Sequence, residues 1–364
     1  MKTTLSLMVA AGLLAATSCA RGDELPEKYQ KAVDKGLAYL AKNQLPDGHW
    51  EANGGQYPGA MTALAGMALL MEGSTVRDGK YAEHIRKAVD WFMARSQRNG
   101  LLGNPTNPSE ASRYMYGHGF GLLFLAQVYG EEEDGERRRK LEQMLTKAVE
   151  FTGKAQTDRG GWGYVSASDG QGFDEGSVTI TQVQGLRAAR NAGIRVPKSI
   201  IDKAHDYLHK CTTPRGGIIY SLAHGNAFAG AERPTLTAAG VACMFSAGEY
   251  TSEYGKKWLR FCQTSIPIDS SGRDSFGHWE YTHYYYGQVL YTLGEDGYAK
   301  LFPESKPGDR LTWGKYRDVI FPYITSRQAA DGSWNLSGIG QVYSTACCLT
   351  ILQLDRNVLP IYQR

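Results

Sequence analysis

One unit is written six times between residues 27 and 356: an amphipathic helix, a short glycine turn, then a helix of small and apolar residues. Near the N-terminus "KAVDKGLAYLAKNQLPDGHW" precedes "EANGGQYPGAMTALAGMALLMEG". Near the C-terminus "KYRDVIFPYITSRQAADGSW" precedes "NLSGIGQVYSTACCLTIL". In both, the first helix ends in Gln (Gln44, Gln328) and the Asp-Gly turn presents a Trp (Trp50, Trp334). Trp162 and Trp334, three units apart, set a period of about 57 residues. The first helix of each unit carries apolar residues at i, i+3 and i+4 and charge elsewhere, so it lies on the outside. The second is apolar nearly all round ("MTALAGMALL", "TLTAAGVACMF") and must be buried on both faces. An open solenoid would leave one such face exposed and need polar end units, which neither terminus offers. The expectation is an all-α fold, an α/α toroid of six inner and six outer helices. The turn tryptophans staple neighbouring units, and the preceding glutamines bond backbone at a helix end.

Residues 1–20, "MKTTLSLMVAAGLLAATSCA", combine a basic Lys2, an apolar run and small residues before Ala20, the pattern of a secretory leader. Two processing routes stay open: ordinary cleavage, or lipidation of Cys19 through the lipobox-like "AATSC". Either makes the chain exported, whether periplasmic, anchored to the cell envelope or secreted. Residues 21–364 then form one toroid domain. The formal net charge of +3 supplies no basic face for nucleic acid, and a membrane is reached only through a lipid anchor at Cys19. Cys211, Cys243, Cys262, Cys347 and Cys348 lack zinc or disulfide spacing and read as buried small hydrophobes, with one bridge still open.

The Gln…Gly-x-Trp turns, with "GSVTITQVQGLRAARNAGI" and "YTHYYYGQVLYTLG", resemble the repeats of squalene–hopene cyclases and protein prenyltransferase β-subunits. Within that prenyltransferase/squalene-oxidase repeat family the chain is similar to the exported bacterial single-toroid branch. The resemblance implies the toroid fold along the whole mature chain. It does not carry a reaction, because the family's catalytic strings are missing. The DxDD acid of the cyclases is absent, the nearest acids being Asp174 and Glu175 in "FDEGSVTI". His283 falls where the transferases' zinc histidine would, yet no Asp-x-Cys precedes it, so neither a metal nor another cofactor is expected.

In a toroid the inner-helix N-termini converge on one mouth, where unpaired N–H groups favour polar or anionic ligands. Asp174, His118 and His283 are the candidate catalytic residues there. Arg113, Tyr114, Tyr116, Glu175, Glu232, Arg233, Tyr281, Tyr284 and Tyr343 are candidate ligand contacts. Each has a structural counter-reading: Asp174 or Glu175 as a helix cap, the histidines as packed core groups, the tyrosines as packing with a bonded tip. Three functions stay open. The first is a toroid that holds an apolar, isoprenoid or peptide-like ligand at its mouth without turnover. The second is a divergent terpenoid cyclase or transferase. The third is a lyase or hydrolase acting on a polysaccharide.

Overall fold

The computed structural model describes residues 25–170, 172–223, 231–246, 250–269 and 276–363. The expected leader, residues 1–20, and Cys19 within it lie outside the described residues. Among those described are twelve α-helices and no strand. The odd-numbered helices are α1 (Glu27–Lys42), α3 (Ala82–Arg95), α5 (Gly135–Ala155), α7 (Lys198–Lys210), α9 (Glu253–Ser265) and α11 (Trp313–Ser326). The even-numbered ones are α2 (Pro58–Met71), α4 (Tyr114–Glu131), α6 (Gly176–Asn191), α8 (Pro234–Ser246), α10 (Trp279–Leu301) and α12 (Gln341–Gln353).

The two sets bury their residues differently. In α1 one stripe is covered, Tyr29, Val33, Gly36, Leu37 and Leu40, at helical spacing. In α2 every residue is buried. The even helices are therefore the inner ring: α2, α4, α6, α8, α10 and α12 pack in that order, and α12 returns to pack on α2 and on α1. The ring is closed, and the architecture is an α/α toroid.

Glycine, glutamine and tryptophan at each turn have separate tasks. Gly48, Gly100, Gly160, Gly216 and Gly332 sit at φ between +91° and +100°. A Cβ on any of them would lie 2.1–2.8 Å from a lysine carbonyl of the next outer helix (Lys87, Lys147, Lys203, Lys257 and, closing the ring, Lys35). No other residue satisfies both constraints. Gln44 donates to the carbonyls of Gly48 and His84, Gln156 to those of Gly160 and Ile200, and Gln328 to those of Gly332 and Ala32. Each thus ties its own turn to the next outer helix. Trp50, Trp162 and Trp334 instead lock their own hairpins. Each indole N–H donates at 2.7 Å to a carbonyl ten residues earlier, and each backbone N–H donates at 3.0 Å to an inner-helix threonine: Thr62, Thr179 or Thr345. Hydrogen-bonded stapling of neighbours belongs mainly to glutamine, although Trp334 also lies against Gly36 of α1.

All five cysteines among the described residues are free and buried. Burial pushes the Cys211 thiol up to about 12, so it is an inert small hydrophobe at neutral pH. No described helix is long and apolar enough to cross a membrane. A final 3-10 turn, Pro360–Tyr362, packs on α6 at the C-terminal end of the ring. There the Tyr362 hydroxyl bonds that of Tyr284 at 3.2 Å, and Ile361 N–H points to Gln127 Oε1 at 3.5 Å. This turn covers part of the far end of the ring, and the cavity opens at the other end, as a cup.

Candidate functional site

A cavity of about 650 Å³ opens at the N-terminal ends of the inner helices, and all six contribute to its wall. This lies within the roughly 300–1,000 Å³ of small-molecule sites. Met61, Leu64, Phe120 and Leu236 make its interior apolar. Tyr57, Tyr116, Tyr164, Tyr220, Tyr281 and Tyr343 complete the wall. Burial raises the hydroxyl pKa of the last five, so each is a neutral phenol at ordinary pH, able to donate.

Charge enters at the rim through Arg113, Arg233 and Glu232. The Arg113 guanidinium lies 4.6 Å from the ring centre of Tyr164, and that of Arg233 lies 5.9 Å from that of Tyr220. The two phenols hydrogen-bond each other, so the arginines flank one aromatic pair. Neither arginine makes an ion pair among the described residues. Glu232 is occupied: Thr213 donates to one carboxylate oxygen and Arg215 stands 3.4 Å from the other.

Six of the expected residues meet in this cavity: Arg113, Tyr116, Glu232, Arg233, Tyr281 and Tyr343. The other six do not line it. Asp174 is fully buried, paired with Arg159, and accepts from the Tyr207 hydroxyl (3.0 Å), Ser221 Oγ (3.2 Å) and Leu222 N–H (3.0 Å). Those donors occupy it as a structural anchor for two turns. Glu175 caps α6, accepting from Ser177 N–H (2.9 Å) and Val178 N–H (2.7 Å). Burial raises its pKa against the pull of those bonds, and it reaches the wall only through Tyr116 and Ser177, whose hydroxyls are 2.6 Å apart. Tyr114 pins the 164–170 segment by bonding Asp169 and Ser166, and Tyr284 holds the Pro360–Tyr362 turn.

His118 is not at the mouth, for a reason the repeat makes plain. Leu102 stands where three other turns carry Trp, and its N–H donates to His118 Nδ1 at 3.1 Å. His118 thereby does the work of Thr62, Thr179, Thr345 and Thr237, the last of which accepts from Ile218 N–H. With Nδ1 accepting, Nε2 carries the proton and donates to Thr152 Oγ1 (2.9 Å), which donates to the Ala148 carbonyl (2.8 Å). Burial lowers its pKa to about 3. His283 occupies the equivalent fifth residue of α10, fully buried, with Nδ1 2.9 Å from the Tyr316 hydroxyl. Both belong to the hairpin packing.

Tyr57, Tyr164, Tyr220, Phe276 and His278 line the cavity without having been among the expected contacts. Tyr164 and Tyr220 were readable. Each stands two residues after the turn's lock residue, in "GWGY" and "GIIY".

No family model and no curated protein sequence matches the chain. Solved structures do. The GH76A alpha-1,6-mannanase of Salegentibacter sp. HEL1_6 superposes with a TM-score of 0.64 at 9% identity, over 91% of this chain and 99% of the mannanase. The type II terpene cyclase MstE from Scytonema gives 0.56 at 14%, over 91% and 99%. A variant of that cyclase, in complex with geranylgeranyl dihydroxybenzoate as substrate, gives 0.51 at 14%, over 91% and 98%. A protein from Actinoplanes gives 0.53 at 15%, over 89% and 98%. At such identities the likeness is one of fold, and it agrees with the closed ring of hairpins.

Proposed function

We propose that this protein is a ligand-binding toroid whose cup takes an amphiphilic anion: an apolar body in the interior and a negatively charged head between Arg113 and Arg233. The observation that carries this reading is that both arginines, unpaired among the described residues, line the same cavity as Met61, Leu64, Phe120 and Leu236. Burying an apolar chain there contributes about 25 cal/mol per Å² removed from water. A planar guanidinium suits a carboxylate or similar head, and its tyrosine stacking holds it in place. The substrate bound to the Scytonema cyclase, a geranylgeranyl chain on a dihydroxybenzoate, has this general form. Export through the leader-like residues 1–20 would place the cup outside the cytoplasm, free or tethered at Cys19.

Two observations favour binding over the hydrolysis performed by a mannanase. Glycoside hydrolysis ordinarily needs two carboxyl groups facing the substrate. Glu232 is the one carboxylate among the described lining residues, and Thr213 and Arg215 hold it.

Displacement of the dye 8-anilinonaphthalene-1-sulfonate from the purified mature chain tests this. Geranylgeranoate and palmitate should displace it at micromolar concentration, and the matching neutral alcohols at least tenfold less well (about 1.4 kcal/mol). Arg113→Ala with Arg233→Ala should erase that difference. Equal affinity for acid and alcohol, or displacement by mannotriose alone, would refute the reading.

A further inference from the structure

Two residues of the cup stand on backbone that side chains rarely adopt. Tyr57 (φ +54°, ψ +43°) and His278 (φ +56°, ψ +41°) are left-handed, immediately ahead of α2 and α10. Among the described residues the only other non-glycine with positive φ is Asn357, a residue type that tolerates this region. For the bulky Tyr57 the left-handed region is a strained outlier, and His278, of a type found there more often, still occupies backbone that side chains rarely adopt.

The backbone task at these positions does not require either side chain. The Tyr57 carbonyl accepts from Met61 N–H (3.0 Å) and that of His278 from Thr282 N–H (2.9 Å). Ahead of α12 the same bond, Ser344 N–H to the residue-340 carbonyl at 3.1 Å, is made by Gly340 at φ +135°. Glycine thus serves at this ring position. Tyrosine and histidine stand there instead, and both side chains line the cavity. Ring order sets them apart from the arginines. Arg113 and Arg233 precede α4 and α8, the neighbours of α6; Tyr57 and His278 precede α2 and α10, the neighbours of α12, which lies opposite α6.

We infer that Tyr57 and His278 are specificity-determining ligand contacts, kept in left-handed backbone because that conformation turns a phenol and an imidazole onto the ligand from the side opposite the arginines. This rests on the binding function proposed above. Strain that persists at a wall of a cavity, where glycine would relieve it, is the signature of a side chain retained for contact.

The test pairs stability with binding in the mature chain, using anilinonaphthalenesulfonate and geranylgeranoate as probes. Tyr57→Gly and His278→Gly should each leave the melting temperature unchanged or raise it by about 1–3 °C. Each should also weaken geranylgeranoate about tenfold. Tyr57→Asn, which keeps the left-handed backbone, should weaken it equally. Asn357→Gly, outside the cup, should leave affinity at the wild-type value. Affinity within twofold of wild type in Tyr57→Gly and His278→Gly would overturn the inference, as would a fall of several degrees in both, which would make them packing residues. A wild-type protein that binds neither probe would overturn the cup reading and this inference together. Wild-type binding with unaffected variants would overturn this inference alone.

Discussion

His118 should make the protein acid-sensitive in a way that one substitution removes. Its imidazole is fully buried, and Nδ1 holds a lone pair toward Leu102 N–H, so protonation would set two hydrogens against each other across 3.1 Å. Burial, the dominant cause, lowers the folded-state pKa from 6.5 to about 3. Between those values the unfolded chain binds a proton that the folded chain does not, so stability is full above pH 6.5 and falls as the pH drops toward 3. At pH 4.5 the deficit from this one group is about 3 kcal/mol relative to pH 8. Gln at position 118 can accept from Leu102 and donate to Thr152 without titrating. Urea melts of wild type and His118→Gln at pH 8, 6 and 4.5 give the difference directly, since the carboxylates common to both cancel. Wild type should lose about 3 kcal/mol more than the variant by pH 4.5. Parallel losses would refute the neutral, buried hairpin-lock role of His118.

Trp162→Phe removes the indole N–H donated to the Thr152 carbonyl at 2.7 Å and leaves a void beside α5, so urea denaturation should show about 2–3 kcal/mol lost. Probe affinity should stay at wild type. Asp174→Asn should cost about 3 kcal/mol, the low end for breaking a buried pair because Arg159 reaches solvent. Its melting temperature should drop well below that of any cup variant, and a normal melting curve with abolished binding would return Asp174 to the site.

The ring was legible because its constraints are local and repeated. A turn glycine pressed onto a lysine carbonyl, a glutamine reaching the next hairpin and an inner helix without a polar face each leave a mark at one spacing. The mouth was legible as a place for the same reason, since inner-helix N-termini must converge there. Its membership was only half legible. Polarity alone cannot tell whether a histidine points across a pore or back toward its own turn. His118 sits one helical turn inside α4, where register aims it at Leu102 rather than at the cavity. Asp174 shows a second obstacle. An acid at the start of an inner helix looks available until Arg159, Tyr207 and Ser221, distant in sequence, are found around it. Tyr57 could be placed at the mouth by its position ahead of an inner helix, but His278 escaped, and nothing in the neighbours of either announces a left-handed backbone, although Gly277 beside His278 marks a turn.

The cavity opens at the inner-helix N-termini, and the turn at Pro360–Tyr362 lies across the other end of the ring. A tube could pass cargo from one mouth to the other, with each arriving molecule pushing its predecessor out. Under the binding function proposed above, an occupant would have to back out before a successor entered, so exchange would run at the speed of departure however abundant the newcomer. A molecule lodged tail-first leaves with its charged end leading. On that proposal, whatever received it would have to come to Arg113 and Arg233 and take hold of that end first.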